Sequence, residues 1–233
     1  PYTPRYYMEF MERDGWEKWK DAYAYEMPLD VREKMPDGNE EYLGNAYRLA
    51  QSHGVTFRSM RRGRGYYEDA SAMHDFIFKT MEFDGPEKDE FIEDIGVIRT
   101  PFGLPHGIIF AHDGPKMIGV LMALPDYNQI LIHLNGKLDL IGCLKALYYW
   151  PRVNQGRLVI LGALPEYRRK GVAMGLVYLL GKWSRPQDKK KFSRAEMSYV
   201  FEDNKASRAI CELSGGEICK TYRVYEKRLE AGD

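Results

Sequence analysis

Residues 158–164, LVILGAL, form an unbroken apolar run. A segment with no polar side belongs to a strand buried on both faces, so helices must cover the sheet above and below it. Pro165-Glu166-Tyr167-Arg168-Arg169-Lys170-Gly171 follows at once, and then Val172, Leu176, Leu179, Leu180 and Trp183 share one helical face. A helix N-terminus presents backbone N–H groups without intrahelical acceptors and the positive end of the helix dipole. Gly171 and the small Ala173 leave room there, and Arg168, Arg169 and Lys170 add charge, so the turn is a candidate phosphate or pyrophosphate site. The same pattern also fits a plain basic loop ended by a glycine.

The flanking elements predict the rest of one sheet. Val55 to Met60 reads as a strand, Tyr66 to Met81 as a helix with Ala70, Met73, Ile77 and Met81 on one face, and Lys88 to Ile98 as a second helix before a Pro/Gly turn at 101–107. Ile108 to His112 and Met117 to Leu124 flank Asp113-Gly114-Pro115 as a hairpin. Ala195 to Phe201 is a strand, Asn204 caps a helix carrying Ala206, Ala209, Ile210 and Leu213, Gly215 or Gly216 ends it, and Ile218 to Lys227 is the last strand. The order β-α-α-β-β-β-α-β-α-β predicts a mixed α/β fold with helices on both faces. Gly162 inside an apolar strand predicts a bulge or close backbone approach, of the kind that splays two strands, or else a packing glycine.

Composition excludes several classes. The 233 residues carry 34 basic and 34 acidic side chains, so no general nucleic-acid coat is expected. The basic tracts Arg61-Arg62-Gly63-Arg64-Gly65 and Lys189-Lys190-Lys191 do not lie in an aromatic platform. Cys143, Cys211 and Cys219 are too scattered for a disulfide framework, which points to a reduced, cytoplasmic protein. No apolar run reaches the ~18 residues of a membrane span. The five histidines have no ligand spacing, so no metal is expected.

An internal repeat shapes the expected domain organisation. FMERDGWEKWKDAYAYE (10–26) lies over ICELSGGEICKTYRVYE (210–226) without a gap, matching Glu12/Glu212, Gly15/Gly215, Glu17/Glu217, Lys20/Lys220, Tyr25/Tyr225 and Glu26/Glu226. Residues 1–27 are then expected to be the C-terminal remnant of an upstream copy of the domain at 54–229. Residues 28–53 are a linker with a helix from Glu40 to Ser52, broken by Pro28, Pro36, Asp37 and Gly38, and 230–233 are a tail.

Residues 125–156 make a long, aromatic, partly helical connection, and connections of this length are usually functional. Asp126, Tyr127, Asn128, His133 and Asn135 in it are candidates for binding an acceptor substrate. Leu138 to Trp150 reads first as a helix covering the sheet, with a hydrophobic substrate pocket or a membrane-resting face as alternatives.

The stretch LGALPEYRRKGVA, with Arg168-x-x-Gly171-x-Ala173, and the later EDNKASRAICELSGG resemble the GNAT (N-acetyltransferase) superfamily over 54–229. The resemblance implies a central mixed, mostly antiparallel sheet and acyl transfer from acetyl-CoA or another acyl-CoA to a small-molecule or peptide amine. It implies that Arg168, Arg169, Lys170, Gly171, Val172 and Ala173 hold the CoA pyrophosphate. Leu161, Gly162 and Ala163 would pair with the pantetheine arm, and Asn204 would contact the cofactor. Its macromolecular partner would be an upstream GNAT domain or a second copy in a homodimer. Many members place a tyrosine general acid where this chain has Cys211, so the proton donor is sought among Tyr199, Tyr222, Tyr225 and water. Glu196, two residues from Ser198 on one strand face, is the candidate base or its orienter. The alternatives are a non-catalytic GNAT-like module for CoA binding or domain pairing, and an N-acyltransferase for long-chain acyl donors.

Overall fold

The computed structural model describes residues 3–28, 39–80, 85–96, 107–183 and 192–228. Pro36, Asp37 and Gly38, Met81, the turn at 101–106, Lys189-Lys190-Lys191 and the tail lie outside the described residues. Strands β1 (Glu17–Pro28), β2 (Val55–Ser59), β3 (Ile108–Asp113), β4 (Lys116–Pro125), β5 (Gln155–Ala163), β6 (Arg194–Phe201) and β7 (Glu217–Glu226) form one sheet in the order β2-β3-β4-β5-β6-β1-β7. Every neighbouring pair is antiparallel except β5 and β6, which run parallel. The helices are α1 (Arg5–Arg13), α2 (Asn39–Ser52), α3 (Gly65–Thr80), α4 (Lys88–Gly96), α5 (Asn128–Leu131), α6 (Leu140–Tyr149), α7 (Val172–Trp183) and α8 (Lys205–Leu213). The mixed α/β architecture with a mostly antiparallel sheet is the one expected.

Both faces of β3 and β4 are covered, as their apolar runs require. Ile109, Ala111, Ile118 and Leu121 pack with Leu43 and Ala50 of α2 and Leu176 and Leu179 of α7. Ile108, Phe110, Val120 and Met122, which alternate with them, pack with Tyr66, Ala70, Met73 and Ile77 of α3 and Ile95 of α4. Between β2 and α3, buried Asp69 accepts from Arg58 at 2.7 and 2.8 Å and from the Arg61 guanidinium and backbone at 2.8 to 3.1 Å. Burial raises this carboxyl, but the two guanidinium groups win and hold it below the ordinary range. Arg61 of the basic tract is thus committed to an internal ion pair.

Residues 17–28, which the sequence sets apart from the 54–229 unit, contribute the strand between β6 and β7. β1 pairs with β6 from Ala22↔Phe201 to Pro28↔Arg194, and its Tyr25 and Met27 bury against Met197 and Cys211.

Three expectations are corrected. The run at 158–164 is not buried on both faces: its residues are half-buried and Val159 is 46% exposed, because β5 parts from β6 after Leu158. The register irregularity of β5 falls at Val159, between Met122↔Ile160 and Ala123↔Leu158, and not at Gly162. The apolar face of α6 does not cover the sheet: Leu140 is 78% exposed, and Ile141, Leu144, Leu147 and Tyr148 are also exposed. Only the inner edge of this connection, through Ile130, Leu134 and Val153, makes a small core of its own.

Candidate acyl-CoA site

The parallel ladder between β5 and β6 starts at Gln155↔Arg194 and ends at Leu158↔Met197. Both strands continue, β5 to Ala163 and β6 to Phe201, but they no longer pair. The bulge at Val159 comes directly after the last pair, and a bulge bends its strand and increases local twist. The divergence leaves a cleft of about 110 Å³. Leu158, Val159 and Leu161 of β5, Met197 to Val200 of β6, and Asn204, Ser207, Ile210 and Cys211 at and along α8 line it. Past Leu158, one edge of β5 is therefore a strand edge facing a cleft, which an extended ligand can pair with.

The basic turn sits at the C-terminal end of the same strand. Residues Pro165–Tyr167 form one 3-10 turn, and Gly171 leads into α7 with φ of +74°. The first bond of α7 runs from Gly175 N to Gly171 O, so the N–H groups of Val172, Ala173 and Met174 have no acceptor within the helix. Arg168 and Arg169 are exposed, while Lys170 lies over the Tyr167 ring at 4.4 Å. Tyr167 is anchored by donating to Asp113 at 2.6 Å. Gly171 has a second reason to be glycine. A Cβ there would stand 2.2 Å from the Ala46 carbonyl oxygen of α2, so the space it leaves is taken by a helix backbone. Val172 is wholly buried and meets the ligand face only through its backbone.

Asn204 caps α8, accepting from Ser207 N at 3.1 Å, and also lines the cleft. Tyr199 lines the cleft and is 56% exposed. Tyr222 does not reach it: β1 lies between β7, which carries Tyr222, and β6. Glu196 accepts from Arg157 at 3.1 Å and from Ser198 at 2.8 Å and pairs with Lys220. Burial raises its carboxyl, but the bonds from Lys220 and Ser198 and the Arg157 charge outweigh this and leave it below the ordinary value. Glu196 is thus a paired carboxylate one hydrogen bond behind the cleft residue Ser198, and a weak base. Burial pushes the Cys211 thiol up to about 12, which makes it a packing residue.

The expected acceptor residues lie at the opposite end of β5 from the basic turn, where Pro125 pairs with Gly156. Asp126 accepts from Asn128 N and Nδ2 at 3.2 and 2.9 Å, capping α5. Tyr127 stacks on Trp150 at 6.3 Å, and burial raises its hydroxyl. Asn135 occupies a left-handed turn position with φ of 51°, and His133 stacks on Tyr149. None of the five lines the cleft. Sequence reasoning missed Leu158, Val159, Met197, Val200, Ser207 and Ile210. The spacing of Asn204, Ser207, Ile210 and Cys211 along one helix face was the available signal. Among the described residues, no helix is long and apolar enough to cross a membrane.

Known proteins match this architecture. The chain is 35% identical over 123 residues to a bacterial ceramide synthase of Caulobacter vibrioides, across 52% of this chain and 32% of that protein. Its fold resembles a GCN5-related N-acetyltransferase from Sphaerobacter thermophilus with a TM-score of 0.58 at 13% identity, covering 94% of this chain and 55% of that one. It also resembles a tandem GNAT protein of the clavulanic acid biosynthesis pathway, with a TM-score of 0.51 at 11% identity over 97% of this chain and 59% of that one. The chain spans about a third of the ceramide synthase it matches. The Acetyltransferase (GNAT) family matches residues 71–215, well over half of the chain, and with the splayed strands, basic turn and capped α8 in place the chain belongs to that family.

Proposed function

We propose that this chain is an N-acyltransferase that binds acyl-CoA between β5 and β6 and delivers the acyl group to an amine. The observation that carries the reading is the end of the parallel ladder at Leu158↔Met197, beside a bulge and in line with a cationic helix N-terminus. The pyrophosphate lies on the N-terminus of α7 between Arg168 and Arg169. The pantetheine arm runs along the unpaired edge of Leu161, Gly162 and Ala163. This brings the thioester to the Val159 bulge, where backbone N–H groups of β5 take the charge that develops on the carbonyl oxygen.

The amine nitrogen attacks the thioester carbon, the C–N bond forms and the C–S bond breaks. A thioester is already activated, so no covalent enzyme intermediate is needed. Tyr199, the tyrosine at the cleft, returns a proton to the departing CoA thiolate. Among the described residues no carboxylate lines the cleft, and the ammonium proton leaves to water at its mouth, with Ser198 in the wall held from behind by Arg157 and Glu196. Titration of acetyl-CoA into the chain tests the site. Micromolar binding lost in an Arg168→Glu/Arg169→Glu variant supports it, and absence of binding by the unaltered chain overturns it.

A second reading concerns the substrate. The exposed apolar side of α6, next to the acceptor end of β5, and the name of the ceramide synthase relative favour a long-chain amine or acyl donor. Transfer rates with acetyl, octanoyl and palmitoyl donors to a short and a long-chain amine decide it. Equal rates throughout sink the lipid reading.

A further inference from the structure

The repeat recognised in the sequence is also a spatial symmetry. Exchange every residue number between 5 and 28 with the number 200 higher, and the pairing of β1 with β7 maps onto itself. Glu17↔Glu226 becomes Glu26↔Glu217, Lys18↔Tyr225 becomes Tyr25↔Ile218, Lys20↔Val224 becomes Ala24↔Lys220, and Asp21↔Arg223 becomes Tyr23↔Thr221. Ala22↔Tyr222 maps to itself and marks the axis. The two register irregularities, at Trp19 and Cys219, are also exchanged. Helices α1 and α8 start and stop at equivalent residues, Arg5–Arg13 and Lys205–Leu213. Their ends match bond for bond: Gly15 and Gly215 have φ of 79° and 81°, and Trp16 N bonds Met11 O as Gly216 N bonds Cys211 O, each at 2.9 Å.

What differs is what lies outside. β1 has β6 on its outer edge, and α8 packs its Cys211 against Met197 of β6. β7 is the edge strand, and the α1 positions equivalent to Ser207 and Ile210 are Tyr7 and Phe10, exposed at 50% and 55%. On β7, Ile218 and Val224 are exposed as well. An aromatic helix face and an open strand edge stand where the symmetry calls for a neighbour.

We infer that the open edge of β7 and the Tyr7–Phe10 face of α1 take a second GNAT-like unit, carried before this one in the same polypeptide. Its equivalent of β6 pairs antiparallel with β7 as β6 pairs with β1, and α1 packs on its sheet as α8 packs here. The two units then share one continuous sheet through the Ala22–Tyr222 axis, and α1 walls the cleft of the other unit rather than this one. The 123 matched residues make up 32% of the ceramide synthase relative, so that protein is longer than this chain and has room for further structure. A GNAT-like unit fits because the surface to be covered repeats, residue by residue, the surface that this unit covers on the other side. The inference does not depend on catalysis at the β5–β6 cleft.

Hydrogen–deuterium exchange, read peptide by peptide on the 233-residue chain and on the parent polypeptide of its gene, tests this. The outward amides of Glu217–Glu226 are expected to exchange at least tenfold more slowly in the parent, with β1 slow in both. Tyr7→Glu/Phe10→Glu in the parent is expected to return β7 to fast exchange without altering acyl-CoA titration at this unit's cleft. Equal exchange of β7 in the two proteins overturns the proposal. So does a gene with no GNAT-like unit before Pro1, or sedimentation showing that β7 is covered instead by a second copy of this chain.

Discussion

The Tyr25 hydroxyl donates to Glu212 at 3.4 Å, and with each partner exchanged for its counterpart 200 residues away the Tyr225 hydroxyl donates to Glu12 at 3.3 Å. Each bond joins a strand of one repeat to the helix of the other. Their surroundings differ: Tyr25 is 1% exposed and also accepts from Arg208 at 3.2 Å, whereas the Tyr225 bond lies at the surface. Tyr25→Phe is therefore expected to cost about 1–2 kcal/mol, because it removes a buried hydroxyl that bonds both Glu212 and Arg208, and Tyr225→Phe less than about 0.5 kcal/mol. Urea unfolding of the two variants measures the difference, and equal losses would refute it.

Acid stability should report the β1–β7 contact. Arg223 donates to both oxygens of Asp21 at 2.9 and 3.1 Å and holds that carboxyl at about 2, against an ordinary 3.8. A depressed carboxyl stabilises the fold above its unfolded value and loses that contribution as pH falls through its folded one. The contribution is thus complete above about 4 and gone by about 2. Asp21→Asn is expected to lower stability by roughly 1–3 kcal/mol at pH 7 and to flatten the melting temperature between pH 4 and 2. An unchanged slope in the variant would exclude Asp21 as its source.

Gly171→Ala separates the two reasons for this glycine. The backbone is left-handed there, and a Cβ would run into Ala46. The variant is expected to lose roughly 2–4 kcal/mol of stability whether or not ligand is present. Arg168→Glu/Arg169→Glu should leave the melting temperature within about 2 °C, since exposed side chains carry little stability. It should still weaken acyl-CoA binding at least tenfold. A Gly171→Ala protein as stable as the parent would show that α2 yields.

Thiol chemistry should pass over the cleft. Cys211 is buried with its thiol near 12, while Cys143 is exposed. Mass spectrometry after brief iodoacetamide treatment at pH 7.5 is expected to find Cys143 modified and Cys211 intact. Cys211→Ala should retain acyl transfer. Loss of transfer in a folded Cys211→Ala protein would restore a chemical role to the thiol.

Local patterns in the chain carried much of this. The apolar run at 158–164 marks a strand, the helical spacing from Val172 states which face of α7 is buried, and the left-handed glycines at 171 and 215 mark where a helix begins or ends. These depend on near neighbours, so the element order and the basic turn were legible. The repeat of 10–26 at 210–226 was legible for the same reason.

The tertiary structure decided what each face meets. It placed β1 between β6 and β7, a pairing across more than 160 residues that no periodicity encodes, and so moved Tyr222 away from the cleft. It set the bulge at Val159 rather than Gly162, directly after the last β5–β6 pair, Leu158↔Met197. It bound Glu196 between Arg157 and Lys220, which come from β5 and β7, and turned a candidate base into a paired ion. It left the apolar side of α6 open, although the sequence alone read it as cover for the sheet. An apolar stripe states that a surface favours burial, but the partner is chosen by long-range closure of the chain, whose cost and reward lie outside any local window.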